Sequence, residues 1–452
     1  MQQQVTRSIL LGALAIGGAG IGSVLVTAAA SAATAPRAPQ VAAALSPVQP
    51  AGANTPLPAA PATIAALVSP SGTDGANCGA NSYSGTIYRD VQSAVDAVTS
   101  GGTVYVCAGT YNLTDAPYQA QGTNTVAVNK SVVIDGVQWS NPAPSTTLDP
   151  ASQSVLAGGF GIEVSHADVR LAGLSFAEDN GGACGPLIPN PCYYSVTTNG
   201  VNNLAISNDA FVGEAADVMA IHIGQPNRTE NTGVAVTDNA FSAPSGGEQQ
   251  LVLSGTNGAV VAGNRVHASD AVAAFYFGAF NKNLTVTGNS LTGATTGDGI
   301  YLADWFLPGS PNDTIRANTI RGYRDAIVLD NLDTAYRLDQ RLPYQPMNDG
   351  TISLSACRTK VPTNFPPATD AFTLRANTIA DAANDGIVLC GAIDGTVRAN
   401  SAVASAHLDE ADASAGAVPP ATSAADGFSA DTLNSWRDNA GESASPTALL
   451  NS

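Results

Sequence analysis

The sequence predicts an all-β fold, a right-handed parallel β-helix of about nine to ten three-strand turns opened by a short capping helix. Three observations carry this expectation. Seven segments align on one motif: LAISNDAF (204–211), VAVTDNAF (234–241), AVVAGNRV (259–266), LTVTGNSL (284–291), DTIRANTI (313–320), FTLRANTI (372–379) and GTVRANSA (395–402). One polar position recurs in them, as Asp209, Asn239, Asn264, Asn289, Asn318, Asn377 and Asn400, spaced by 30, 25, 25, 29, 59 and 23 residues. An apolar strand precedes the motif, as in DGIYL (298–302), DAIVL (325–329) and DGIVL (385–389).

Each turn therefore reads as strand, turn, strand, polar bend and short third strand. Apolar residues alternate and point inward, as half-buried strands require. An Asn repeated at one bend can stack its amide on the next turn, giving an internal hydrogen-bond ladder. The 59-residue interval reads as one turn plus a long insertion. Weaker turns fit around Val126–Val137 and Ile162–Phe176. Leucine-rich repeats would need a Leu consensus, and propellers four strands in ~40 residues per blade. Neither pattern is present.

Ahead of the repeats, residues 1–33 read as an export signal. Arg7 supplies the positive start, Ser8 to Val26 an apolar run, and Ala30-Ser31-Ala32 a cleavage site. The rival reading is a retained membrane anchor. With the leader removed, no span remains, and a secreted or cell-surface monomer is expected. Residues 34–76, with eight prolines, read as a disordered spacer. The β-helix is expected over 77–405, and 406–452 as a mobile acidic segment with a degenerate C-terminal cap.

Within the opening turn, Val91, Ala94, Val95 and Val98 recur at helical spacing, so Asp90 to Thr99 should be an amphipathic helix. Gly101 and Gly102 stop it, Thr103 to Val106 alternates like a strand, and Gly109-Thr110-Tyr111 turns the chain. A short helix there covers the open end of the solenoid.

Composition excludes some functions. The formal charge is −18 and the chain holds three lysines, Lys130, Lys282 and Lys360. Nucleic acid is therefore not an expected partner. An anionic polysaccharide would be repelled unless a cation bridged it. Six cysteines in an exported chain suggest up to three disulfides, and proximity suggests Cys78–Cys107, Cys184–Cys192 and Cys357–Cys390. No metal-ligand spacing accompanies them, so no metal site is assigned.

The opening from Ile87 to Tyr111, with the repeated GI-x-L strands and Asn bends, resembles the pectin lyase-like superfamily over about residues 80–405. The resemblance implies the right-handed parallel β-helix. It also implies that substrates lie along the outer face of the first strand, beside the following loop. Taking Ile300 and Leu302 as inward, Tyr301 points out. The matching outward positions are Glu163, His222, Val252, Tyr276, Val328 and Val388. Asp330 and Cys390 match each other two residues further on, and the following loops add Asp304, Trp305 and Asp333.

On that face Tyr276, Tyr301 and Trp305 can stack on sugar rings or pack under loops. Asp304, Asp330 and Asp333 can serve as acid and base across a glycosidic bond, bind Ca²⁺, or be solvated loop residues. Glu163 and Asp333 can bind substrate. His222 suits a general base near neutral pH, and Tyr301 suits one if Arg321 or Arg324 lowers its pKa. The Asp298, Asp325 and Asp385 series argues for a turn role. Arg316, Arg375 and Arg398 share one outward position on the second strand, either solvated and paired with acids or forming an anion site. A Cys357–Cys390 bridge would fold the insertion over the first-strand face.

The Gly-His-Gly of pectin hydrolases and the pectin methylesterase signatures are missing, as are Gly-x-Ser-x-Gly and a P-loop. The functional expectation is a polysaccharide lyase or glycoside hydrolase acting on cell-wall or other glycan along this groove. The alternative is a non-catalytic glycan-binding, adhesive or structural surface protein.

Overall fold

The computed structural model describes residues 64–72, 83–115, 125–137, 148–158, 161–178, 193–198, 200–213, 218–224, 231–278, 281–293, 295–303, 312–330, 371–390, 392, 395–406, 408–412, 434–441 and 444–445. Every strand pairing among them is parallel. The second strands form one thirteen-stranded ladder. The third and first strands form the other long sheet, because Ala240–Leu253 and Arg265–Phe277 run unbroken from one role into the other. Crossovers between parallel strands of one sheet are right-handed in nearly all proteins. The fold is a right-handed parallel β-helix.

The registers follow from the alternation of apolar residues. On the second strand the inward column runs Ile134, Leu171, Ile206, Val236, Val261 and onward to Val397 and Trp436, all fully or almost fully buried. Each such side chain contributes about 1.5–3 kcal/mol of burial, and a one-residue slip would turn the whole column to water. Inside the third strand Phe176, Phe211 and Phe241 stack with ring centroids 4.9 Å apart, and Phe275 meets Phe241 edge-on at 6.3 Å.

The polar bend forms the expected ladder. Each Asn amide donates Nδ2–H to Oδ1 of the next, at 3.0 Å for Asn239 to Asn264 and 2.9 Å for Asn289 to Asn318. Nδ2 also donates to a carbonyl of the preceding turn, and Oδ1 accepts the backbone N–H of the rung before. Asn318 meets Asn377 directly at 3.0 Å, so the 59-residue interval is indeed one turn with an insertion. The ladder extends one rung beyond the seven motifs, to Asn439, which accepts from Asn400 at 3.1 Å.

At the other end stands Asp209, fully buried. Its Oδ1 accepts the Leu174 N–H at 2.7 Å, but Oδ2 has no hydrogen-bond partner. Burial holds this carboxyl well above its ordinary value, with Asp135 adding to the shift and the Leu174 N–H opposing it. A folded-state pKa above the unfolded one leaves its stability intact below about pH 4 and erodes it as pH rises. Asp209→Asn supplies the missing donor, which register aims at the Leu171 carbonyl. We expect it to stabilise the protein by about 1 kcal/mol. Urea titrations should show a larger gain at pH 8 than at pH 4; a loss of stability at both would refute the account.

Three boundaries differ from the sequence reading. Ala66–Val68, assigned to the spacer, is a strand between Ile87–Tyr88 and Gly102–Val106, with all three side chains buried. Pairing on both edges outweighs the Pro-rich surroundings. Gly109–Asn112 is a strand paired with Ser154–Ala157 rather than a turn. Leu408–Asp412 and Ser435–Arg437 add strands past residue 405. The helix forms over Val91–Ala97, capped by the Asp90 carboxylate accepting Ser93 N–H at 2.7 Å, and buries Val91, Ala94 and Val95. No helix among the described residues is long and apolar enough to cross a membrane. The leader lies outside those residues.

Candidate functional site

The first-strand face is a single outward column whose rungs are fixed by register. It runs Ala127, Glu163, Thr197, His222, Val252, Tyr276, Tyr301, Val328, Val388. Every outward residue read from the sequence stands on it, in the expected order. Two rungs were missed. Ala127 belongs to a weak early turn. Thr197 lies on Tyr193–Thr198, a turn without the Asn motif. Glu163 and His222 are 59 residues apart, a length that fits two turns and equally one turn with an insertion, so spacing did not reveal it.

Cover along the column is uneven. Glu163 is exposed, and Ala127, Thr197 and His222 are partly open. From the next rung the side chains are shut away: Val252 is 5% exposed, Tyr276 7%, Tyr301 8%, Val328 1% and Val388 3%. Tyr276 and Tyr301 stack on each other, centroids 5.5 Å apart and planes 5° from parallel. Each ring therefore spends one face on the other and little of either meets solvent, in keeping with the packing reading of the two offered by the sequence.

His222 stacks on Tyr194 at 5.1 Å. Though part of the ring reaches solvent, most of it is surrounded by protein, and that desolvation lowers its pKa to about 4, so the imidazole is neutral at neutral pH. A base that weak is poorly matched to proton abstraction near pH 7, which departs from the role expected of it. It offers instead a ring and a neutral nitrogen for hydrogen bonding.

Arg324 does not serve Tyr301. Its guanidinium donates to Asp298 Oδ1 at 2.7 Å and to Asp325 Oδ2 at 3.2 Å. Arg321 pairs with Asp381 at 2.9 Å, both largely exposed. The Asp298, Asp325 and Asp385 series sits at one corner of successive turns, all three nearly fully buried. Asn384 Nδ2 donates to Asp325 Oδ1 at 2.8 Å and to Asp385 Oδ2 at 3.0 Å. Burial, reinforced by Asp325 and opposed by Arg324, raises the Asp298 pKa to about 8. This corner is structural, as its regularity suggested.

Asp330 pairs in register with Ala303 and Cys390, confirming that it matches Cys390 one turn on. Its side chain, and all of Asp304, Trp305 and Asp333, lie outside the described residues. So do Cys78, Cys184, Cys192 and Cys357, and with them the three expected pairings. Cys107 is disulfide-bonded. Among the described residues no group of His, Cys, Asp or Glu is arranged to hold a metal ion.

No family model matches the chain, and no curated protein does. Solved structures resemble it at low identity. The A-module of mannuronan C-5 epimerase AlgE6 of Azotobacter vinelandii is 13% identical, with a TM-score of 0.44 over 78% of this chain and 90% of that one. The catalytic unit of a thermostable GH87 α-1,3-glucanase from Streptomyces thermodiastaticus is 14% identical, with a TM-score of 0.44 over 86% of this chain and 71% of that one. A rhamnogalacturonan lyase is 14% identical, with a TM-score of 0.41 over 76% and 75%. These likenesses assign this chain no substrate.

Proposed function

We propose that this protein engages polysaccharide along its first-strand face, at the open stretch from Ala127 to His222. The observation that carries the reading is the contrast in cover along one column, open from Ala127 to His222 and closed from Val252 to Val388. The open rungs present an exposed carboxylate, a hydroxyl and a neutral imidazole stacked on a tyrosine. Such a strip suits sugar rings, whose hydroxyls need donors and acceptors and whose apolar faces pack on aromatic rings. The expected leader fits a polymer met outside the cell. Cleavage would need a second acid or base opposite Glu163.

The test incubates the protein with neutral and acidic polysaccharides, with and without Ca²⁺. Reducing ends, ultraviolet absorbance of unsaturated uronates and binding are followed together. Reducing ends with absorbance mean a lyase, reducing ends alone a hydrolase, and binding without either a glycan-binding protein. Thr197→Trp, which fills the open stretch, should weaken binding at least about tenfold, a cost of about 1.4 kcal/mol. Binding unchanged by both Thr197→Trp and Glu163→Ala would overturn the reading, as would no binding to any polymer.

A further inference from the structure

The second-strand face carries a feature that the groove does not use. Its outward column near the polar bend holds Arg316, Arg375, Arg398 and Arg437 on four successive rungs, each exposed. The repeat alone does not produce this column. The six preceding rungs hold Asp135, then only Ala, Ser or Thr, ending at Thr287. Like charges directly opposite each other destabilise a sheet. Among the described residues, the carboxylate beside the column is Asp438, 3.5 Å from Arg398, and that pair is more than half exposed. Exposed pairs contribute about 0–1 kcal/mol.

A second column runs alongside. Thr314, Thr373, Thr396 and Ser435 lie two residues before each Arg on the same outward face, so every rung pairs a hydroxyl with a guanidinium. Successive rungs are about 4.8 Å apart and the two columns about 6.6 Å. The array is regular, with a step comparable to the length of one sugar residue.

We propose that these four rungs bind a linear, carboxylate-bearing polysaccharide, with Arg forks on the carboxylates and the Thr/Ser column on the ring hydroxyls. A guanidinium takes a carboxylate through two parallel N–H···O bonds, which an ammonium cannot do. The net charge of −18 does not oppose this, because the field near the array is set by its four local cations. Single-stranded nucleic acid also carries regular anions, but it is held through bases stacked on aromatic side chains. The outward columns of these rungs carry Thr, Ser and Arg. The site is separate from the first-strand groove, so one polymer could be held at one face while another is contacted at the other.

The experiment measures binding of polygalacturonate oligosaccharides by calorimetry, with a chelator present so that no cation bridges the partners. The unmodified protein should bind, less tightly as salt rises, and should bind a neutral β-glucan oligosaccharide at this face at least about tenfold more weakly. Arg375→Ala with Arg398→Ala should weaken polygalacturonate binding at least about tenfold, while Arg375→Lys with Arg398→Lys retains part of it. These positions are exposed and removing like charges relieves repulsion, so the thermal unfolding midpoint should hold in the Lys variant and hold or rise in the Ala variant. Thr197→Trp should leave this binding unchanged, which separates it from the groove. Equal affinity in the Ala variant, preference for single-stranded DNA, or loss of binding in Thr197→Trp alone would each overturn the proposal.

Discussion

Asn289→Ala is expected to lower stability by about 4 kcal/mol, near the upper end for a single substitution. Asn289 sits mid-ladder, nearly fully buried. Its Nδ2 donates to Val261 O at 3.0 Å and Asn318 Oδ1 at 2.9 Å. Its Oδ1 accepts Asn264 N–H at 2.9 Å and Asn264 Nδ2–H at 3.0 Å. Alanine leaves those partners buried and unmatched, and each such group costs about 1–3 kcal/mol, partly relieved by local shifts. Asn439→Ala, at the partly exposed last rung, should cost only about 1 kcal/mol because water can replace the lost bonds. Urea midpoints for the two variants test the ladder. Equal, small losses at both positions would mean that the amide stack is incidental to stability.

Arg324→Met is the second large effect, a loss of about 3 kcal/mol at neutral pH. The substitution keeps much of the aliphatic length but removes the cation between Asp298 and Asp325. Deleting the guanidinium leaves two buried carboxyl groups without the donors it supplies, and each unmatched buried group costs about 1–3 kcal/mol. The pH dependence has a definite sign. Burial raises Asp298 from about 3.9 unfolded to about 8 folded. Its contribution is fully present below about pH 4 and declines as pH rises toward 8. Without Arg324 the charged form is harder still to hold. The variant's deficit should therefore widen between pH 5 and pH 9 in paired denaturation titrations. A deficit that narrows over that range would show that Arg324 is not what holds the carboxylates.

Much of the fold was legible because a β-helix is specified locally and repeatedly. Period-2 alternation assigned the inward column from Ile134 to Val397. The recurring Asn gave the bend, and the Asp298, Asp325, Asp385 series gave a structural corner. Seven of the outward first-strand rungs between Glu163 and Val388 also followed from the alternation, Thr197 being the one passed over. Asn439 was missed because its strand, SWR (435–437), replaces the aliphatic pattern with Trp436. Ala66–Val68 was missed because three residues carry too little periodicity to stand against a Pro-rich background.

Two equal intervals show where pattern stops. Asn318 to Asn377 and Glu163 to His222 both span 59 residues. The first is one turn with an insertion, and the second is two turns through Thr197. Spacing cannot distinguish these cases, because loop length is weakly constrained and only strand pairing across turns counts the rungs. The sequence by itself determined the solenoid, its inward and outward faces and the polar ladder, since each depends on near neighbours along the chain. Tertiary structure alone decided which outward residues meet solvent. Tyr276 and Tyr301 point out by period yet are buried, while Glu163 stays open, because burial depends on what distant segments cover. The four-rung arginine column likewise became complete only when pairing placed Arg437 beside Arg398.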